Sequence, residues 1–250
     1  NSLWTNSKKQ KLTQTSSVQC AADTLTITNH HTAQIRQVSG SPVQHVKLRV
    51  TDNYNFTAGQ YLSIEAPRNM VIPMSIASAP ARLPEIELHY RATPGMAESM
   101  AMDNLLTQTH LIVSEASGSV VLDTPDRAVL IIIGGSAAAQ AFSVCEDRAS
   151  RNVDQPTQIF WAADTQDDIY GAETLSQYQH VAVELCIDSR RNKDNKALNW
   201  LRMNAKNYMH WQVMLAGSPG FVYAASDILI ENGLLQANLH SDIFAYAPRA

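Results

Sequence analysis

From Thr32 to Leu122 apolar and polar residues alternate in short runs: Val46, Leu48 and Val50, then Leu62 and Ile64, then Ile86, Leu88 and Tyr90. Side chains repeating with period two line one face of a pleated strand, so each run predicts a half-buried antiparallel strand. Turn formers such as Ser39-Gly40-Ser41-Pro42 separate the runs. Short strands punctuated in this way predict a small antiparallel barrel or sandwich. Ala97 to Leu106 breaks the rhythm. Met100, Leu105 and Leu106 stand there among helix formers, which predicts a short helix inserted between strands.

After Asp123-Thr124-Pro125 the rhythm changes to continuous apolar runs separated by helical stretches. Val129-Leu130-Ile131-Ile132-Ile133 leads into Gly134-Gly135 and a helix from Ala137 to Arg148. The pattern recurs at Gln158 to Ala162, at Val181 to Leu185, and at Gln212 to Ala216 before a helix from Pro219 to Asn232. Strands apolar on both faces belong to a sheet covered on both sides, and strand, crossover helix and strand in succession imply a parallel one. Ser218 reads as the N-cap of the last helix, Pro219 as its first residue and Gly233 as its left-handed stop. The expected organisation is a polar arm (1–31), an antiparallel barrel (32–124) and a Rossmann-like α/β domain (125–250).

Residues 1–31 hold too few apolar side chains to bury much surface. Over the whole sequence, 45% of residues are apolar and 17% charged, with a formal net charge of −4. That balance excludes a polyanion-binding field, so nucleic acid is not an expected partner. The longest apolar stretch, Ala128 to Phe142, is interrupted by Gly134, Gly135, Ser136 and Gln140 and falls short of the roughly 20 residues of a membrane span. Cys20, Cys145 and Cys186 lie far apart without a C-x-x-C pair, which argues against a disulfide framework and points to a reducing cytoplasm. The eight histidines show no metal-ligand spacing along the sequence, so no metal is assigned.

In an open parallel sheet, ligands bind beyond the carboxyl ends of the strands, where helix N-termini offer free N–H groups to phosphate. Gly134-Gly135-Ser136-Ala137 and Gly217-Ser218-Pro219-Gly220 are two turns of that form. By themselves they read more readily as ordinary strand-to-helix geometry than as nucleotide sites. Ser218, Asp227 and His240 occur in the order of a hydrolase triad, yet all three fall within one helix and the following strand, and the first glycine of G-x-S-x-G is missing. Trp200, Tyr208 and Trp211 lack interleaved basic residues and read as core or pocket walls.

The order of segments resembles the ferredoxin-NADP reductase superfamily, and within it the NAD(P)H-flavin reductases and oxygenase reductase modules. The likeness runs from Thr32 to Tyr246. It is carried by Ala58-Gly59-Gln60-Tyr61-Leu62, Pro73-Met74-Ser75-Ile76-Ala77-Ser78, Glu87-Leu88-His89, Pro94-Gly95-Met96-Ala97-Glu98-Ser99, Ile133-Gly134-Gly135-Ser136, Phe160-Trp161-Ala162-Ala163, Asp168-Ile169-Tyr170, Ala216-Gly217-Ser218-Pro219-Gly220 and Ser241-Asp242-Ile243-Phe244-Ala245-Tyr246. What the resemblance implies is a six-stranded antiparallel barrel that holds FAD or FMN and a parallel sheet that presents a nicotinamide dinucleotide to it.

The resemblance places Pro73, Met74, Ser75, Ile76, Gly95 and Ser99 at the flavin, with Ser75 catalytic beside the ring nitrogen that accepts hydride. It places Gly134, Gly135, Ser136, Asp164, Gly217, Ser218 and Pro219 at the dinucleotide. Two departures weaken the flavin motif. The arginine that holds flavin phosphate in relatives is Ile72 here, and the aromatic residue against the ring is Met74. Losing a guanidinium removes a bidentate phosphate contact, so flavin is expected to be held loosely, as a substrate is. Arg68 and Arg91 are candidate replacements, against a plain reading as solvated arginines. On the motif alone, Ile72→Arg is expected to tighten flavin binding. Ala137 is a third departure, adding a methyl group where relatives carry glycine near the nicotinamide.

Asp164 stands where relatives that prefer the 2′-phosphorylated cofactor often carry a basic residue, so NADH is favoured over NADPH; the competing reading is a simple turn cap. Together these readings give an NAD(P)H-dependent flavin reductase with flavin, nicotinamide nucleotide and an electron-acceptor protein as partners. Ile72, Met74 and Ala137 support the alternative, a catalytically degenerate binding module. Cys20 with Thr24 to Ile27 resembles the tail of the ferredoxin domain found in some relatives, but one cysteine cannot hold a cluster.

Overall fold

A computed structural model describes residues 29–122, 124–188 and 195–249. The expectations for the arm up to residue 28, Cys20 among them, lie outside these residues. The first half is an antiparallel sheet of β1 (His30–Ser39), β2 (Gln44–Arg49), β3 (Tyr61–Ala66), β4 (Met70–Ser75), β5 (Glu85–Tyr90) and β6 (His110–Ser114). Its order is β4-β3-β6-β1-β2-β5. The two edges meet where Ile76 bridges to Leu88 and the Ala77 N–H donates to the Glu87 carbonyl at 2.7 Å. That contact closes the sheet into a barrel and leaves no long free edge to pair with another chain.

Period-two alternation sends Leu48, Leu62, Ile64 and Leu88 into the barrel, where all are fully buried. Pro67, Arg68 and Asn69 make the three-residue turn that joins β3 to β4, with φ of 65° and 59° at Arg68 and Asn69. Helix α1 (Ala97–Leu105) is the inserted helix, and its Met102 and Leu105 join the barrel core beside β3 and β4. The barrel starts earlier than its sequence suggests. His30 and His31 read as arm residues, but both lie in β1, with His31 opposite Val113 and its ring edge-on to Tyr54 at 5.1 Å.

The second half contains β7 (Val129–Gly134), α2 (Ala139–Ser150), β8 (Thr157–Ala163), α3 (Ala172–Ser176), β9 (Val181–Ile187), α4 (Lys196–Asn204), β10 (Gln212–Ala216), α5 (Pro219–Glu231), β11 (Leu239–His240) and α6 (Ile243–Tyr246). All strand pairs in it are parallel, in the order β11-β10-β7-β8-β9. Strand β7 shows why its run is apolar throughout: Ile131 and Ile133 pack on the α2 side, whereas Leu130 and Ile132 pack on the α4 and α5 side. Chain order reverses between β7 and β10, and a crevice opens at such a switch point. Helix α5 starts at Pro219 and stops before Gly233 (φ 101°) as expected, but the Ser218 side chain makes no capping bond.

Helix α2 fastens the two halves together. Gln140 Nε2 donates to the Gly59 carbonyl at 2.6 Å and to Asp242 Oδ2 at 2.8 Å. One turn on, Ser143 Oγ donates to the Ser78 carbonyl at 2.8 Å, and Glu146 Oε2 accepts from the Ala79 N–H at 2.7 Å. Ala58, Ala77, Val120 and Leu122 complete an apolar cluster with Ala138, Ala141 and Phe142. The parallel sheet is thereby set against the segment that joins β4 to β5.

Candidate active site

A cleft of about 290 Å3 opens at the carboxyl ends of β7, β8, β9 and β10. Gly134, Gly135, Asp164 and Ser218 line it, so four residues singled out in the sequence come together there. Two turns form its floor. A Cβ on Gly217 would stand 3.1 Å from the Gly134 Cα, and one on Gly134 would stand 2.6 Å from the Phe221 ring, so both positions need glycine. The Gly134-Gly135 turn is pinned by β8: the Gly135 N–H donates to the Ala162 carbonyl at 2.8 Å, and the Trp161 indole N–H donates to the Gly135 carbonyl at 2.6 Å. Ser136 and Pro219 flank the cleft without lining it, and Ala137 is exposed at the turn.

Sequence reading missed Cys186, Asp188, Asn195 and Phe221, which share the same wall. Their one available signal was position: the end of β9 for Cys186 and Asp188, and the start of the next helix for Asn195 and Phe221. Asp164 and Asp188 bring two carboxylates to this end of the cleft. The sequence between Asp188 and Asn195 also carries Arg190, Arg191 and Lys193, outside the described residues.

On the barrel side, Ser75 ends β4 opposite Tyr61, half-buried, and its hydroxyl takes no hydrogen bond from another described residue. A Cβ on Gly118 would stand 3.0 Å from both the Tyr61 ring and Asp242 Oδ1. Burial raises the Asp242 carboxyl above its usual range, and hydrogen bonds from the Ser119 and Val120 backbone and from Gln140 partly offset that. Ser75, Tyr61 and the Asp242 segment therefore converge where the barrel meets the sheet. Pro73 is exposed and Met74 lies half-buried against the barrel core.

Three expectations for this face change. Ile72 is only 6% exposed and belongs to the barrel core, so the position does not open onto a phosphate site. Ile76 is fully buried and its N–H donates to the Gln60 carbonyl at 3.1 Å, which removes its side chain and amide from the site. Arg91 is ion-paired with Asp168 across the two halves, and Arg68 sits at the exposed tip of the β3–β4 hairpin. Gly95 (φ 80°) and Ser99 shape the exposed approach to α1. Ser99 Oγ accepts from the Thr93 N–H at 2.9 Å, and Glu98 sets a carboxylate against the N-terminal amides. The described residues thus offer hydroxyl and apolar groups for a flavin ring; of the two candidate arginines, Arg91 is paired and Arg68 stands at the opposite end of β4 from Ser75.

The other constellations separate in space. Asp227 binds Arg249 through two contacts of 2.8 and 2.7 Å, and His240 Nε2 lies 2.6 Å from Gln212 Oε1, so no triad forms with Ser218. Trp200 stacks on Phe160 at 3.9 Å and Tyr208 meets Trp211 edge-on at 5.0 Å, as walls of the α4 and α5 core. The histidines, by contrast, do not all stay scattered: His45 and His89 lie opposite each other on β2 and β5, with Glu87 between them.

No protein-family model matches the chain. The chain is 28% identical over 216 residues to reductase component 1 of terephthalate 1,2-dioxygenase from Comamonas sp, which takes in 81% of this chain and 63% of that protein. It therefore spans less than two thirds of that relative's length. With the NAD(P)H-flavin reductase of Aliivibrio fischeri it shares 24% identity over 210 residues, 76% of this chain and 87% of the relative. Among solved structures, the ferredoxin reductase in carbazole 1,9a-dioxygenase superposes with a TM-score of 0.71 at 21% identity, over 86% of this chain and 69% of that one. Ferredoxin-NADP+ reductase from Plasmodium falciparum gives 0.71 at 15% identity, over 86% and 96%. The closed barrel joined to a five-stranded parallel sheet is the ferredoxin-NADP reductase fold, and in sequence the chain resembles oxygenase reductase components and NAD(P)H-flavin reductases.

Proposed function

We propose that the chain is an NAD(P)H-dependent oxidoreductase that reduces a loosely held flavin. The observation that carries this reading is the cleft at the β7–β10 switch point, built from both glycine turns and fixed by α2 against the barrel face that bears Ser75. Bound flavin would supply the redox chemistry; the protein's own share is to bind, orient and exclude water. Gly134, Gly135 and Ser218 would hold the nicotinamide nucleotide, and Ser75 with Pro73 and Met74 would meet the flavin ring. FAD and FMN are both consistent with a site that lacks a phosphate-binding arginine. An electron-acceptor protein remains part of the proposal by analogy with the oxygenase reductase components. So does a cytoplasmic setting, supported by the free thiols of Cys145 and Cys186.

The test is steady-state oxidation of NADH and NADPH with free FMN or FAD as acceptor. NADH should be the better donor, because Asp164 and Asp188 set negative charge where a 2′-phosphate would lie. Asp164→Arg should raise the NADPH-to-NADH ratio of kcat/KM by about tenfold or more. An unchanged ratio would place Asp164 outside the site, and wild-type preference for NADPH would sink the charge argument.

Ser75→Ala should lower kcat by about 10- to 100-fold, the worth of a hydrogen bond to a group gaining charge. The flavin KM should change far less, since that bond matters most as charge develops. Equal losses in both constants would make Ser75 a binding residue only. If neither FMN nor FAD is reduced or bound at millimolar concentration, the chain is a binding module that has kept the fold without the reaction.

A further inference from the structure

We propose that His45, Glu87 and His89 form a binding site for a divalent transition-metal cation, with Zn2+ as its representative, on the outer face of the barrel where it meets the sheet. One ligating atom from each residue lies within 4.8 Å of the other two. His45 Nδ1 stands 2.8 Å and His89 Nε2 stands 3.2 Å from the same oxygen, Glu87 Oε1. Register explains the grouping. In the antiparallel β2–β5 pair, His45 is directly opposite His89, and Glu87 lies diagonally from His45 on the same face.

The chemistry of the donor set fits the cation. Two imidazoles and a carboxylate are borderline-to-hard ligands suited to zinc and its neighbours, and three protein ligands leave a fourth position for water or substrate. Zinc sits about 2.1 Å from such atoms, so ligand atoms must lie within roughly 4.2 Å of one another. Reaching that spacing asks for a small rotation of the His45 ring, whose side chain is 35% exposed. Glu87 and His89 are nearly enclosed, at 12% and 3%.

The surroundings also resemble those of a metal-binding histidine. His89 Nδ1 lies 3.0 Å from the Tyr170 hydroxyl, and Phe142 and Tyr170 hold the ring edge-on with centroids 4.8 and 5.3 Å away. An outer partner on the second ring nitrogen fixes the tautomer and orientation of a ligating imidazole. With a cation at Nε2, the proton moves to Nδ1 and is donated to the Tyr170 oxygen. Burial holds His89 below the usual imidazole range. It pushes Glu87 upward, but the hydrogen bonds from His89 and His45 outweigh it and keep the carboxyl ionised. Two cations oppose the charge: Arg82 stands 3.6 Å from Glu87 Oε2, and Lys47 is opposite Glu87 in register. Arg82 is 39% exposed and can turn to Glu146, also 3.6 Å away.

This inference does not depend on flavin chemistry, and its test reads no turnover. Full-length protein stripped with a chelator is titrated calorimetrically with ZnCl2, and separately with CoCl2 while visible absorption is followed. One equivalent of Zn2+ per chain is expected, with cobalt bands of a four- or five-coordinate nitrogen and oxygen site. His45→Gln changes a half-exposed ring and should abolish both signals. Tyr170→Phe should weaken Zn2+ binding by about 10- to 100-fold, as loss of a ligand's outer partner does. His110→Gln, outside the group, controls for surface histidines. The proposal is overturned if wild type binds well below one equivalent, or if His45→Gln binds as wild type does. Unfolding of His89→Gln would not rescue it, because the His45 variant decides.

Discussion

Trp161→Ala is expected to lower stability by about 3 to 5 kcal/mol and to weaken nicotinamide-nucleotide binding in the same protein. Trp161 is fully buried at the carboxyl end of β8, edge-on to Tyr170 at 5.6 Å. Its removal leaves a large void in a cluster that also contains Ile133, Phe142 and Ala172. For a chain of this size the loss corresponds to a melting temperature about 6 to 20 °C lower. The indole N–H also holds the Gly135 carbonyl, so truncation frees the turn that floors the cleft. Trp161→Phe separates the two effects: most packing returns while the hydrogen bond stays lost. Urea unfolding should then show a smaller stability loss, while NADH titration still shows weaker binding than wild type. A Trp161→Ala protein that melts with wild type would refute the packing argument. Wild-type NADH affinity in both variants would refute the role given to the turn.

Ile72→Arg is the second large effect, and its sign is opposite to the one the motif suggests. The resemblance implies an arginine for flavin phosphate at this position, so the sequence invites a restoring substitution. In the structure the side chain points among Leu62, Ile64 and Leu88 in the barrel core. A guanidinium placed there would be buried without a partner, at about 3 to 5 kcal/mol. The expected outcome is a marked fall in the urea midpoint with no gain in FMN or FAD affinity. Unaltered unfolding together with about tenfold tighter flavin would mean that β4 lets the side chain reach solvent, and the description of that strand would be wrong.

Period-two runs marked β2, β3 and β5 of the barrel, and apolar runs β7, β8, β9 and β10 of the parallel sheet, because a strand's exposure to one or two cores is written in its own residues; β9 departs from its reading as an edge strand that leaves Leu185 and Ile187 exposed. Val129 to Ile133 is the clearest case, since every position feeds one core or the other. The glycine turns were legible for a related reason: each needs only its neighbours in the chain to form. The rest depended on partners distant in sequence. Ile72 reads as a missing arginine until the barrel closes around it. Arg91 reads as a free cation until Asp168 arrives from the other half. His45 carries no signal by itself; a pair separated along the chain by about half of the barrel has no spacing to recognise, and only the β2–β5 register brings it to His89. His30 and His31 were misplaced because a strand start that pairs with β6 in a polar stretch lacks an apolar signature.

Along one face of α2, Gln140, Ser143 and Glu146 each satisfy a backbone or carboxylate group of the barrel or of the α6 approach. Separating barrel from sheet would strand the Gly59 and Ser78 carbonyls and the Ala79 amide while uncovering apolar surface on both sides. The two halves, although each has a core of its own, are therefore expected to unfold in a single transition, and separating them near residue 124 is expected to leave each fragment with sticky apolar surface.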